Sequence, residues 1–193
     1  MPADQRRAKG WVGQLIEACL GATAGSRSVP DFEQIGVELK TIPIGANGLP
    51  TETTYICTTD LIDARKMGWH GSRVRKKLNR VLWLPVQATR DMPMAERRVG
   101  SALIWSPSPT EYSALQADWD ELTQMISMGQ VELITAAIGK LLQIRPKGAN
   151  AQSRTWGVDE NGHRFKTLAR GYYLRTQFTT KLLQQHFAIP KGS

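Results

Sequence analysis

Apolar positions recur along this chain with two periods, and the change from one to the other marks its elements. From Lys9 to Leu20, Trp11, Val12, Leu15, Ile16, Cys19 and Leu20 fall at i, i+3, i+4 spacings, which predicts an amphipathic helix ended by Gly21 and Gly25. Gly36 to Ile44 alternates and predicts a strand, broken by Pro43 and the turn-rich GANGLP. The β-branched and aromatic run Thr53 to Thr58 is expected as its hairpin partner. Val81 to Val86 and Val99 to Trp105 predict two more strands, with Pro85 setting the first near an edge or ending it there. Helical spacing returns over Pro109 to Gly129, with Tyr112, Leu115, Trp119, Leu122, Met125 and Ile126 on one stripe, and a second helix is expected over Val131 to Ile138. Leu141 to Ile144 and Gly171 to Phe178 read as strands, Val158 to His163 as a turn, and Thr180 to Phe187 as a closing helix. The expectation is an α/β or α+β fold with strands gathered centrally and helices between and after them.

Composition bounds the class. A chain of 193 residues with 41% hydrophobic and 22% charged residues suits one globular domain, residues 1–193. No apolar stretch approaches the roughly 18 residues of a membrane helix, and Arg6, Arg7 and Lys9 lead into no signal-peptide core, so a cytoplasmic protein is expected. Cys19 and Cys57 lack metal-ligand spacing and are expected as two buried thiols. His70, His163 and His186 are scattered, no G-x-S-x-G supports acyl transfer, and no G-x-x-x-x-G-K-[ST] loop supports ATP binding by this chain.

Charge changes the picture. Twenty-five Lys and Arg against seventeen Asp and Glu give +8, unevenly spread. Arg65 to Arg98 holds ten basic and two acidic residues, Lys140 to Lys181 nine and two, and Val99 to Gly139 five acids with no Lys or Arg. Segregation of this kind points to a polyanion facing part of the molecule, and nucleic acid is the default one. The acidic stretch Glu111 to Glu132 is then expected on the solvent-facing back, with a partner-docking surface as the alternative.

The sharpest chemical signal is Asp31-x6-Glu38-x-Lys40 within PDFEQIGVELK. In a strand, Glu38 and Lys40 project to one face, and Gly36 permits the bend that brings Asp31 to them. Two carboxylates and the backbone carbonyl of Leu39 form a partial oxygen cage of the kind Mg2+ accepts. The metal would polarise a phosphodiester, and Lys40 would orient the attacking water or steady developing charge. Glu17, off the apolar stripe of the first helix, can add a further carboxylate. The same spacing also suits a surface hairpin with a plain Glu38–Lys40 ion pair; the basic blocks favour the nuclease.

The run KGWVGQLIEACLGATAGS…PDFEQIGVELKTIPI resembles the MutH family of DNA mismatch repair endonucleases, within the PD-(D/E)xK nucleases. The resemblance continues through ETTYIC, VRKKLNRVLWLPV, RRVGSALIWSP, DWDELTQMISMGQVELITA, LQIRPKGANA and RGYYLRTQFT, from Lys9 to Phe187. It implies a restriction-endonuclease-like fold, with a mixed central sheet flanked by helices and two lobes forming a DNA cleft. It implies a monomeric, Mg2+-dependent enzyme, with Mn2+ as a substitute, nicking the unmethylated strand at hemimethylated GATC. Activation would come from MutL, which binds the ATP, after MutS has found a mismatch. By match, Asp31, Glu38 and Lys40 are the catalytic triad, with Glu17 and Lys77 assisting. Arg145, Pro146, Lys147 and Tyr173 would meet the GATC bases, and Lys9 the DNA. Family members carry a few dozen further residues ahead of the KGW segment, which implies a shortened arm of the cleft here. Two other functions fit the same residues: a GATC-specific restriction enzyme cutting both strands, and a methylation-sensing DNA-binding module that does not cut.

Overall fold

The computed structural model describes residues 10–25, 27, 29–89, 92–147, 153–187 and 189. It is a mixed α/β structure, as the periodicity predicts: α1 (Trp11–Cys19), β1 (Glu38–Ile44), β2 (Thr54–Thr58), α2 (Gly68–Gly71), α3 (Arg73–Leu78), β3 (Val81–Gln87), β4 (Leu103–Trp105), α4 (Pro109–Ser127), β5 (Leu142–Pro146), β6 (Arg154–Val158), β7 (Arg164–Leu168), β8 (Arg170–Leu174) and α5 (Thr176–His186). The described residues group into two compact units. One draws on Met1–Glu52, Lys77–Ser106 and Thr179–Ser193, the other on Thr53–Lys76 and Pro107–Phe178.

The first unit is built on a three-stranded sheet in the order β1-β3-β4. β1 runs parallel to β3, with Glu38 opposite Val81 and Lys40 opposite Trp83, and β4 runs antiparallel to β3. Ile42, Val81 and Trp83 are fully buried. β3 is therefore the central strand rather than an edge. Pro85 is tolerated because it lies past the β4 ladder of Val81 to Trp83, where the segment before β4 asks only for an acceptor: the Pro85 carbonyl takes the Gly100 N–H at 2.8 Å, and no proline N–H is needed. The expected strand from Val99 is reduced to Leu103–Trp105, with an isolated bridge from Val86 to Val99. Helix α1 packs on β1, yet none of its residues is buried.

The second unit holds the antiparallel sheet β2-β8-β5 and the two-stranded ribbon β6-β7. β2 pairs with β8, so the expected hairpin of β1 with β2 does not form. The turn-rich GANGLP closes only an isolated bridge, Ile44 to Pro50. Helix α4 starts at a capping box: the Ser108 hydroxyl accepts from Glu111 N–H, the Glu111 carboxylate accepts from Ser108 N–H, and Pro109 occupies the first turn. Its face of Leu115, Trp119, Leu122 and Ile126 is buried, and Trp69 of α2 stacks at angles on Tyr112 and Trp119. The helix expected over Val131 to Ile138 is a single 3-10 turn, Val131–Leu133. Beyond it, side chains from β8 and its flank hold the backbone: Arg175 donates to the carbonyls of Ala136 and Ile138, and Arg170 to that of Ile134. The strand at Gly171 stops at Leu174, and Phe178 already belongs to α5.

Candidate active site

Asp31, Glu38, Lys40 and Lys77 all lie in the first unit. The chain reaches β1 through a 3-10 turn, Glu33–Ile35, closed by Gly36 at φ 64°, a left-handed conformation that glycine adopts without strain. This turn brings Asp31 back alongside β1, where its Oδ2 accepts the Leu39 N–H at 2.8 Å. Thr23 N–H donates to the Asp31 carbonyl at 3.0 Å, fixing the segment from the other side. Asp31 is 8% exposed and Glu38 only 1%.

A carboxylate this buried needs compensating charge. Glu38 has it twice: Lys40 Nζ donates to Oε1, and Lys77 Nζ donates to Oε1 at 2.9 Å and Oε2 at 2.8 Å. Lys77 also donates to the Val29 carbonyl at 3.3 Å, so it ties α3 to the segment leading into Asp31. Glu17 of α1 feels the same cluster. Its carboxyl is held above the usual range, first by burial and then by the charge of Asp31, with Glu38 adding to this and Lys40 and Lys77 opposing it.

The donor chemistry suits a hard divalent cation. Two buried carboxylates, with the backbone of Leu39 between them, offer oxygens only, and such ions keep several waters of their own. Among the described residues no three His, Cys, Asp or Glu gather into a group that could hold a metal by themselves.

Arg145, Pro146, Lys147 and Tyr173 come together in the second unit, on the β5-β8 pair. Arg145 lies opposite Gly171, Pro146 opposite Arg170, and Gln143 opposite Tyr173. Arg145 and Pro146 are exposed. Strand β2 braces them, a role the sequence reading missed. Arg145 Nη1 donates to Thr53 Oγ1 at 3.3 Å, and Lys147 Nζ lies 3.7 Å from the centroid of the Tyr55 ring while bonding its hydroxyl. Tyr55 meets Tyr173 edge to face with centroids 5.3 Å apart. Gly171 makes that approach fit, for a Cβ there would sit 2.9 Å from the Tyr55 ring. No spacing signal in TYICT announces this, because a register shift between Tyr55 and Cys57 breaks the strand's alternation.

Lys9 lies outside the described residues. Cys57 is buried as expected, whereas Cys19 is exposed on α1, whose outer face nothing described covers. The acidic stretch is not wholly a solvated back. Asp118 is buried and accepts the backbone N–H groups of Lys140, Leu141 and Leu142, and Glu132 pairs with buried Arg170.

Known proteins resemble this chain closely. The family model "DNA mismatch repair enzyme MutH" matches residues 20–118. A DNA mismatch repair protein MutH of Vibrio cholerae is 53% identical over 188 residues, covering 97% of this chain and 85% of the relative. The proteins of that name from Yersinia enterocolitica and Escherichia coli are each 50% identical, covering 98% and 97% of this chain and 83% and 82% of theirs. No helix among the described residues is long and apolar enough to cross a membrane. A mismatch repair nuclease binds DNA and, as a class, works with a divalent metal, which the oxygen donors at β1 and the braced basic edge of β5 both suit. By identity and coverage the chain belongs to the MutH family of DNA mismatch repair enzymes, and it is a DNA endonuclease.

Proposed function

We propose that the chain, its two units acting as one endonuclease domain, nicks the unmethylated strand of hemimethylated GATC with Mg2+, and accepts Mn2+ in its place. The observation that carries this reading is Glu38, buried at the start of β1 beside Asp31 and gripped by two lysines. Asp31, Glu38 and the Leu39 carbonyl would hold the metal, which supplies Lewis-acid polarisation of the scissile phosphate. Lys40 orients the attacking water and steadies the charge growing on the phosphate; Lys77 holds Glu38 in place and supports that charge. Water attacks in line, without a covalent enzyme intermediate. Glu17 assists from α1.

Arg145 presents a two-pronged donor suited to guanine O6 and N7. Pro146 and Lys147 fix the loop against DNA, Lys9 adds a phosphate contact, and the Tyr173 ring is the group expected to sense an adenine methyl. The enzyme acts as a monomer in the cytoplasm, stimulated by MutL with ATP on that partner and, through it, by MutS. A plasmid nicking assay tests the reading, with unmethylated, hemimethylated and fully methylated GATC, Mg2+, and MutL present or absent. Glu38→Ala should cost at least about a thousandfold in rate. Double-strand cleavage without MutL would assign a restriction activity instead, and methylation-sensitive binding without any turnover would leave a recognition module.

A further inference from the structure

The β6-β7 ribbon has its pattern turned inside out. Thr167 and Gly157 are the buried positions, and Thr167 bonds the Glu132 carboxylate. The outward positions carry Arg154, Trp156, Arg164 and Lys166, all exposed, with Trp156 opposite Lys166 and Val158 opposite Arg164. Trp156 is 45% exposed, and Lys166 Nζ stands 4.0 Å from its ring centroid. Arg154 Nη1 donates to the Lys166 carbonyl at 3.2 Å, crossing the ribbon beneath. Among the described residues none of these three cations forms an ion pair with a carboxylate. Asp159 in the connecting turn is occupied locally, accepting the N–H groups of Asn161 and His163.

The ribbon is tied to the base-reading edge through backbone. Lys147 N–H donates to the Ala169 carbonyl at 2.6 Å, and Ala169 N–H donates to that of Ser153 at 3.0 Å, so β5, β6 and the β7-β8 link meet at one point. From Ala169, Lys166 is three residues away and Arg164 five, about 10 and 17 Å of extended strand. At 3.4 Å per base pair, Arg164 reaches about five base pairs from that point.

We infer that Arg154, Trp156, Arg164 and Lys166 form a second DNA contact, which grips backbone phosphates of the duplex flanking the bases read at Arg145 to Lys147. This rests on the reading of Arg145 to Lys147 as base-contacting residues. Charge complementarity selects the occupant: three cations on one face, with no carboxylate partner among the described residues, offer donors to phosphate, and the two carboxylates of the ribbon, Asp159 and Glu160, lie in its connecting turn. Trp156 does not offer an open stacking platform, since Lys166 already covers a face of its ring; it holds the ammonium in position by cation–π attraction. The ribbon therefore lends affinity without sequence information.

The test compares the wild type with the triple variant Arg154→Gln, Arg164→Gln, Lys166→Gln by fluorescence anisotropy in Ca2+. One duplex of roughly 24 base pairs carries a central GATC; a second, with about two base pairs either side of GATC, is too short to reach Arg164. Three phosphate contacts lower the slope of log K against log[salt] by about 2.7, so between 50 and 200 mM salt the wild type should lose about 40-fold more affinity for the long duplex than the variant does. On the short duplex the difference between the two proteins should shrink but not vanish, because Arg154, opposite Leu168 and beside Ala169, still reaches it; far-UV circular dichroism shows that the variant folds, and Lys166→Arg should behave as wild type. An unchanged slope on the long duplex overturns the inference. If that unchanged slope accompanies lost stimulation by MutL, the ribbon belongs to protein docking instead. Nicking of GATC by the wild type is read separately, so failure of the ribbon leaves the endonuclease reading standing.

Discussion

Asp118→Asn isolates how α4 holds the strand that carries Arg145. The Asp118 carboxylate, 4% exposed, accepts three consecutive backbone N–H groups: Lys140 at 2.8 Å on Oδ1, and Leu141 at 2.6 Å and Leu142 at 2.8 Å on Oδ2. Asparagine keeps one oxygen for Leu141 and Leu142 but turns an amide N–H2 towards the Lys140 N–H. Two bonds lose their charge assistance, at about 1 kcal/mol each, and one buried donor is left facing another donor, at about 1–3 kcal/mol. Allowing for relaxation, the cost is about 3 kcal/mol, which for a chain of this size lowers Tm by about 6–12 °C. Urea unfolding followed by tryptophan fluorescence reads it directly, since Trp119 adjoins the site; the midpoint should fall with the slope unchanged. Because β5 begins at Leu142 and carries Arg145 three residues on, the variant should also raise KM for GATC duplex more than it lowers kcat. A stability within about 0.5 kcal/mol of wild type would refute the view that this carboxylate anchors β5.

Three further changes probe the site. Lys77→Met keeps the aliphatic stem but removes the ammonium that holds both Glu38 oxygens, and single-turnover nicking should fall about 100-fold; a loss under about threefold would remove Lys77 from the machinery. Glu17→Gln should stabilise the metal-free protein at neutral pH. The raised Glu17 carboxyl makes the folded state bind the extra proton, so native stability falls as pH climbs from Glu17's ordinary value through its raised one. Melting in EDTA across pH 4 to 8 should show the Gln variant's advantage absent at the acid end and growing upward; a constant difference would contradict this. Gly171→Ala forces a Cβ to 2.9 Å from the Tyr55 ring and 3.2 Å from the Cys57 carbonyl, and should cost about 1–3 kcal/mol while reducing the preference for GATC over unrelated duplex in competition binding.

Elements were legible in the sequence where one periodic face is buried. Helix α4 shows its stripe because Leu115, Trp119, Leu122 and Ile126 all face inward; β1 was legible from its strand-forming run even though Glu38 and Leu39 are buried on opposite faces. Strand partners were not legible. A turn-rich segment after β1 reads as a hairpin, but pairing is decided by what buries Glu38 and Ile42, and that is the parallel strand β3 some forty residues later. The stretch after Val131 looks helical in its apolar spacing. It is held open by Arg170 of β8 and Arg175 just after it, whose long side chains bond its carbonyls, a tertiary contact with no local trace. The ribbon β6-β7 escaped for the opposite reason: its outward positions carry Trp and its inward positions Thr and Gly, so the alternation that usually reveals a strand is inverted.

The charge blocks show how far composition reaches towards a site. They identify the class of partner correctly, because a surplus of uncompensated cations on one molecule has to face something anionic. They do not identify the residues, because several of those cations are consumed internally: Lys77 compensates Glu38, Arg170 is buried against Glu132, and Arg175 binds backbone carbonyls. The acidic block divides in the same way, with Asp118 satisfied by backbone and Glu132 by Arg170 and Thr167. Arg145 on β5 and Arg154, Arg164 and Lys166 on the ribbon are among the cations of the second unit left with no carboxylate partner among the described residues, as are Arg65, Arg73, Lys76 and Lys140. Phosphate contacts are to be sought among these residues, and the cations already matched within the fold are the ones whose removal should show first as lost stability rather than as a shallower dependence on salt.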